Sequence, residues 1–280
     1  MIKLLSIMQT YFQPRSDLVT MSSGAISEIT ILAGHDKRGN PESFDPIVIR
    51  PGDTISIVGP TGSGKTAFIN DIEVFACNDT ATGRTVLING EIPAEEFVRD
   101  PSKKPIALIT QNTKCLADMT VEAFLSMHVR ARKMSGSAIV AETIELANQF
   151  TGEQIQPGCR ITALSGGQTR SLMVADAVLI SNAPLILLDE VENAGIFREK
   201  VIEVLKEHQK SVIFVTHDPL VSLLSDRRVV MRHGGVEKIL QPDGREVHIR
   251  EMVARMDLTL CRFRERIRAG ELLTEQGFTI

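Results

Sequence analysis

The chain has 280 residues, of which 43% are hydrophobic and 24% charged, and its formal net charge is −4. These values are typical of a globular protein with a sizeable core, and they argue against a general nucleic-acid or anionic-membrane surface. The four cysteines (Cys77, Cys115, Cys159 and Cys261) show no CxxC spacing, which indicates reduced thiols rather than a disulfide framework or a zinc site.

The N-terminal residues 1–25 contain a short apolar patch that Gln9 and Thr10 interrupt, so they make a poor signal peptide. We interpret them as an early strand or an arm. No apolar run in the sequence approaches the roughly 20 residues that cross a bilayer. We therefore expect a cytoplasmic protein.

Short strand-like runs alternate with amphipathic helical stretches, which predicts an α/β protein with a mainly parallel sheet. Continuous apolar runs bounded by turn residues predict strands buried on both faces at Thr54–Val58, 106–109, 185–188 and 212–215. Shorter strands, partly antiparallel, are predicted at 26–32, Ile47–Ile49 and Thr85–Ile88.

A helical block of about forty residues is predicted between Met119 and Thr162, between two strands of the core. One face of its second helix would be formed by Ile139, Thr143, Leu146, Ala147 and Phe150.

A phosphate-binding loop is predicted at residues 59–66, where GPTGSGKT matches G-x-x-x-x-G-K-[ST] between a strand and a helix. Its glycines let the backbone N–H groups turn toward phosphates, and the helix N-terminus adds a positive dipole end. Lys65 can reach the β- and γ-phosphates, and the Thr66 hydroxyl can bind Mg²⁺. The candidate ATP-binding residues are Gly59, Pro60, Thr61, Gly62, Ser63, Gly64, Lys65 and Thr66.

Polar residues follow three other predicted strands. Asp189 and Glu190 end LILLDE, and we expect Asp189 to hold Mg²⁺ through water and Glu190 to polarise the attacking water. His217 ends VIFVTH and could contact the γ-phosphate or that water. Gln111 ends ALITQ and is either an ordinary loop residue or a ligand of Mg²⁺ and water.

A second phosphate-binding turn is predicted in ALSGGQ at residues 163–168. Ser165 offers a hydroxyl, and Gly166 and Gly167 expose N–H groups where a helix begins. The same serine also fits a helix N-cap.

In order and spacing these motifs resemble the ATP-binding cassette (ABC) ATPases, over roughly residues 26–235. GPTGSGKT resembles their Walker A, LILLDE their Walker B, Gln111 the Q-loop and His217 the switch histidine, and LSGGQ resembles the signature. The resemblance implies a P-loop, RecA-like core with a small antiparallel β subdomain and an inserted helical subdomain at about 113–163. It implies ATP and Mg²⁺ as cofactors, with Thr66, Gln111 and Asp189 on the metal and Gln111, Glu190 and His217 as catalytic residues. It also implies head-to-tail pairing of two cassettes, so that Ser165, Gly166, Gly167 and Gln168 act on the neighbour's nucleotide.

Three segments depart from that family. The region before the Walker A offers only His35 and Phe44 where an aromatic residue usually stacks on adenine. VENAGIF at 191–197 has Ile196 in place of an aspartate, although Ala194 keeps its place, and Glu192 and Asn193 are candidate substitutes for the polar contacts. Asp176 stands where an arginine is usual.

An extension at residues 236–280 is predicted to contain a hairpin around Pro242-Asp243-Gly244 and a helix at 250–273. The helix carries an apolar stripe of Met252, Val253, Met256, Leu260, Phe263 and Ile267, with arginines around it. We favour a helix packed on the ATPase domain with a solvated basic face; the alternative is a helix that docks an acidic partner.

Three functions remain open from the sequence. The first is the nucleotide-binding subunit of a transporter, held at the inner face of the membrane by a separate transmembrane subunit. The second is an ABC ATPase that remodels or assembles a protein client such as a metalloenzyme. The third is a module that binds nucleotide with little hydrolysis, against which Glu190 and His217 argue. We expect a homodimer or a heterodimer with another cassette, and no nucleic acid partner.

Overall fold

The computed structural model describes residues 26–113, 115, 117–134, 138–190 and 198–273. Its strands are β1 (Ile29–Leu32), β2 (Ile47–Ile49), β3 (Thr54–Val58), β4 (Thr85–Ile88), β5 (Ile106–Thr110), β6 (Leu185–Asp189), β7 (Ser211–Val215), β8 (Arg227–Arg232) and β9 (Gly235–Leu240). Its helices are α1 (Lys65–Glu73), α2 (Glu95–Arg99), α3 (Val121–Ala131), α4 (Ala138–Gln149), α5 (Gly166–Leu179), α6 (Arg198–Glu207), α7 (Pro219–Leu224) and α8 (Val247–Arg268).

A six-stranded sheet forms the centre of the fold, in the order β5-β6-β7-β3-β8-β9. The first five strands of that order are parallel, and β9 pairs antiparallel with β8. The sheet is buried on both faces: Leu185 and Leu187 pack on one side, and Ile186 and Leu188 on the other. The predicted doubly covered parallel sheet is therefore confirmed.

A three-stranded antiparallel sheet, in the order β2-β1-β4, lies on the same side as α1. Helices α3 and α4 form the predicted block between β5 and α5 and contribute to the core on the other side. Thr143, Leu146, Ala147 and Phe150 are buried, as the periodicity predicts, and Ile139 packs against them. Together these parts confirm the α/β fold class with its two additions.

The hairpin predicted around Pro242-Asp243-Gly244 is wrong. The chain leaves β9 and enters a short 3-10 turn, Gly244–Glu246, and α8 begins directly after it. The Asp243 carboxylate accepts a hydrogen bond from the Arg245 N–H, which starts the helical turn. The observed hairpin joins β8 to β9 through His233 and Gly234, whose φ angles of 54° and 91° fit a tight hairpin turn.

The packing predicted for the C-terminal helix is only partly correct. Helix α8 rests on α7, and Ala254, Asp257 and Cys261 are half-buried. Most of the apolar stripe, however, is exposed: Met252, Met256, Leu260 and Ile267 all belong to the exposed residues. Hydrophobic periodicity predicts that a helix has an apolar face, but it does not predict which part of the protein packs on that face. Within the described ranges, no helix has the length and apolar character needed to span a bilayer.

Candidate nucleotide-binding site

One edge of the central sheet collects the predicted site residues. Strands β5, β6, β7 and β3 are parallel neighbours, so their carboxyl ends lie side by side. Gln111 follows β5, Asp189 ends β6 and Glu190 follows it, His217 follows β7, and the loop at 59–66 follows β3. Residues up to 158 positions apart in the sequence therefore meet at one edge of the sheet.

The phosphate loop has the backbone that its glycines predict. Gly59, Gly62 and Gly64 have φ angles of 152°, 77° and 101°. A Cβ at Gly59 would lie 2.4 Å from the Met231 carbonyl oxygen. A Cβ at Gly64 would lie 2.7 Å from the Gly234 Cα. The β8–β9 hairpin thus supports the loop from behind and leaves no room for a side chain.

The start of α1 offers its N–H groups to an anion, because its N-cap residue Gly64 supplies no side-chain hydrogen bond to them. Lys65 is buried, and its ammonium donates to the carbonyls of Gly59 at 2.9 Å and Pro60 at 3.3 Å. These bonds hold a cation inside the loop, where phosphate oxygens can take over its donors.

We expect Gly64→Ala to lower the free energy of unfolding by about 1–3 kcal/mol, because alanine is strained at this positive φ. It should also weaken ATP binding, since relief of the contact with Gly234 displaces the loop. Gly52→Ala is the matched control: its φ is 86° and a Cβ there meets nothing within 4 Å. Urea denaturation and ATP titration of both variants test this. Equal ATP affinity in the two variants would contradict the role of Gly64.

Glu190 and His217 lie close together across the ends of β6 and β7. Glu190 adopts a φ of 50°, and its N–H donates to the Val215 carbonyl at 2.9 Å. Its Oε1 is 3.7 Å from the His217 Nε2, and both side chains are partly exposed. That separation exceeds a hydrogen bond, so this contact leaves the Glu190 carboxylate able to accept one from water.

Gln111 is exposed after β5, and its carbonyl accepts a hydrogen bond of 2.6 Å from the Arg170 guanidinium. Arg170 lies on α5, and burial lowers the pKa of its guanidinium from the usual value. This bond ties the loop after β5 to the helix that begins at Gly166.

The turn at 165–168 caps α5. Ser165 Oγ accepts from the Gln168 N–H at 3.2 Å, and Gln168 Oε1 accepts from the Ser165 N–H at 2.9 Å, which forms a capping box. Gly166 and Gly167 are the first two helical residues. Within the described residues, no hydrogen bond joins this turn to residues 59–66.

A family model described as "ABC transporter" matches residues 46–193. The chain is also 48% identical, over 255 residues, to an ABC transporter ATP-binding protein of Methanocaldococcus jannaschii, covering 91% of this chain and 98% of that protein. This chain belongs to the ABC transporter ATP-binding family. As an ABC ATPase it binds and hydrolyses ATP.

More distant ABC proteins share the fold. The chain is 32% identical over 211 residues to the spermidine/putrescine import ATP-binding protein PotA of Bacillus cereus, covering 72% of this chain and 61% of that protein. CbiO1 of Clostridium perfringens, part of an ABC transporter complex, superposes with a TM-score of 0.60 at 21% identity, covering 87% of this chain and 99% of that one. A dimeric cassette bound to ADP and phosphate superposes with a TM-score of 0.57 at 23% identity, covering 77% of this chain and 99% of that one.

The departures from the ABC pattern have partly structural explanations. The buried Asp176 accepts a hydrogen bond from Ser181 and lies 3.0 Å from the His128 Nδ1, so it ties α5 to α3. Phe44 packs against the core, whereas His35 is exposed. The residues at 191–197, including Glu192, Asn193, Ala194 and Ile196, lie outside the described part of the chain.

Sequence reasoning missed a buried ion cluster behind the phosphate loop. The Arg84 guanidinium binds Glu42 through two hydrogen bonds of 2.9 and 2.7 Å and Asp71 through one of 2.9 Å. It also donates to the Gly234 carbonyl at 3.0 Å, and the Gly234 N–H donates to the Ser63 carbonyl at 2.8 Å. An arginine at the start of a predicted strand carries no local signal of this role.

Proposed function

We propose that this chain is the nucleotide-binding subunit of an ABC transporter, in which ATP closes two cassettes on each other. The observation that carries the proposal is the pair of phosphate-binding turns. The turn at 165–168 makes no hydrogen bond to the phosphate loop of its own chain within the described residues. A turn of this kind can serve the nucleotide of a second cassette. The Methanocaldococcus jannaschii relative, named as a transporter protein, supports the transport role.

In this proposal the backbone of 59–66 and Lys65 bind the phosphates. Thr66, Asp189 and Gln111 would hold Mg²⁺, which neutralises phosphate charge when it is bound. A hydroxyl, a carboxylate and an amide oxygen are the hard donors that Mg²⁺ prefers, and waters and phosphate oxygens usually complete such sites.

Glu190 is the proposed general base. Its carboxylate would accept the proton of the attacking water, and its partly exposed position at the strand end lets water reach it. His217, beside it, would donate a hydrogen bond to the γ-phosphate or orient that water. The turn at Ser165, Gly166, Gly167 and Gln168 would close on the γ-phosphate of the partner cassette, where the dipole of α5 favours an anion.

We expect Lys65→Ala to reduce ATP affinity by about 10–100-fold, because charge-assisted hydrogen bonds contribute about 1.5–3 kcal/mol. Titration with a fluorescent ATP analogue, with ATP as competitor, measures the change. Lys103→Ala is the control, since Lys103 pairs with Glu96 on an exposed surface. Unchanged affinity in Lys65→Ala would refute the assignment of this loop.

The transport role needs a separate test in the source cells. Chromosomally tagged chain should fractionate with membranes and co-purify with a polytopic membrane protein. Recovery with only a non-membrane client would instead support the remodelling function. The roles proposed for the ATP-binding and catalytic residues would be unaffected by that result, because they do not depend on which partner the chain has.

A further inference from the structure

The apolar stripe of α8 has the spacing of a coiled-coil seam. Its members are separated by 4, 3, 4, 3 and 4 residues: Ile249, Val253, Met256, Leu260, Phe263 and Ile267. A strict seven-residue repeat keeps such a seam directed at a neighbouring helix, with one set of residues at a positions and the other at d positions. Val253, Leu260 and Ile267 are then the a residues.

Four of the six seam residues are exposed: Ile249, Met256, Leu260 and Ile267 are 48%, 53%, 51% and 59% exposed. Val253 and Phe263 are half-buried. The helix is anchored along an adjacent face, where Arg198 bridges Asp218, the N-cap of α7, to Asp257 at 3.4 Å. The anchor leaves the four exposed seam residues without the burial that would normally stabilise such side chains.

One edge of the seam is cationic. The positions that flank a and d are Arg250, Asp257 and Arg264 on one edge and Met252, Thr259 and Arg266 on the other. Asp257 pairs with Arg198, and Arg266 pairs with Glu271 at 2.7 Å, so the positive charge of the seam lies mainly on the first edge, at Arg250 and Arg264. Flanking charges choose the partner of a coiled-coil helix, and cationic edges select acidic ones.

Other occupants fit this surface less well. In a second copy paired antiparallel, Arg250 would face Arg264 of the other chain, and like charges repel. Residues 1–25 contain one acid, Asp17, against Lys3 and Arg15. Helices that lie on membranes usually carry aromatic anchors on a broad apolar face, whereas this seam is narrow and the chain has no tryptophan.

We propose that the α8 seam docks an amphipathic helix of a partner protein whose own apolar seam is flanked by glutamate or aspartate. The apolar residues of both helices would interdigitate, and Arg250 and Arg264 would pair with acidic residues that flank the partner's seam. This surface lies outside the nucleotide site, so the inference stands apart from the proposed transport role.

The test uses the full chain and two synthetic 21-residue peptides with the same Ile/Leu seam, one with Glu and one with Lys at every flanking position. Fluorescence anisotropy should show the Glu peptide binding at least about tenfold more tightly. The double variant Arg250→Glu, Arg264→Glu should reverse that preference. Arg255→Glu, Arg262→Glu changes the charge equally but away from the seam, so the preference should persist. ATP hydrolysis should be the same in all these proteins.

Equal binding of both peptides, or binding of neither, would overturn the proposal. The surface would be assigned to lipid instead if the parent protein sediments with phosphatidylglycerol vesicles, the Arg250→Glu, Arg264→Glu variant does not, and neither peptide is preferred. If the protein is a dimer without nucleotide and Leu260→Glu dissociates that dimer, the surface would be assigned to a second copy of the chain. Peptide binding that requires deletion of residues 1–25 would assign it to this chain's own N-terminus.

Discussion

Replacing Glu190 with glutamine is expected to lower the rate of ATP hydrolysis by about 100-fold or more, because an amide cannot take the proton of the attacking water. The phosphate contacts of residues 59–66 are unchanged by the substitution, so ATP affinity should stay within a factor of about two to three of the parent protein, a difference of well under 1 kcal/mol. Steady-state phosphate release and ATP titration measure the two quantities separately.

The same variant should accumulate a closed dimer. If 165–168 serves the nucleotide of a second copy, ATP binding without hydrolysis leaves both turns engaged. Light scattering with Mg²⁺ and ATP should then report a doubling of mass, which reverses when the nucleotide is removed. Adding Ser165→Arg to this variant should block the doubling but preserve ATP binding, since Ser165 lies outside the phosphate loop.

Glu145→Gln is the matched control for hydrolysis and mass, because Glu145 is exposed on α4. Normal hydrolysis by Glu190→Gln would remove Glu190 from the catalytic assignment. A monomeric mass with ATP bound would contradict closure between copies of this chain and would point to a different partner cassette.

Replacing Arg84 with methionine is expected to lower the free energy of unfolding by about 3–5 kcal/mol, because it leaves buried carboxylates without their counter-charge. The side chains of Arg84, Glu42 and Asp71 are 0%, 1% and 5% exposed. The guanidinium also lies 4.9 Å from the centre of the Phe68 ring, so one side chain joins α1, the loop before β2 and the β8–β9 hairpin. Urea denaturation monitored by circular dichroism measures the loss.

Arg99→Met is the control for Arg84, because Arg99 pairs with Glu95 on an exposed helix, where such pairs contribute about 0.3–0.5 kcal/mol. Arg84→Lys should recover only part of the stability, because lysine lacks the planar fork that binds Glu42 twice. A loss below about 1 kcal/mol in Arg84→Met would mean that water reaches the two carboxylates.

Much of the fold was predictable because its signals are local. Four apolar runs predicted β3, β5, β6 and β7 to within one residue at each end, since a strand buried on both faces must be continuously apolar. The strand–loop–helix at 54–73 was predictable for the same reason: its glycines and Lys65 stand in one short stretch. The hairpin predicted at 242–244 failed because Pro-Asp-Gly favours a turn without specifying whether a strand or a helix comes after it.

The sequence by itself determined the phosphate loop, the buried strands, the capped start of α5 and the amphipathic character of α8, because each depends on neighbours within a few residues. The tertiary structure alone decided which strands are adjacent and therefore that Glu190 meets His217. It also decided that Arg84 reaches Glu42 and Gly234, and that four of the six residues of the α8 seam are exposed. Those contacts depend on pairings across 27 to 150 residues, for which periodicity and propensity carry no information.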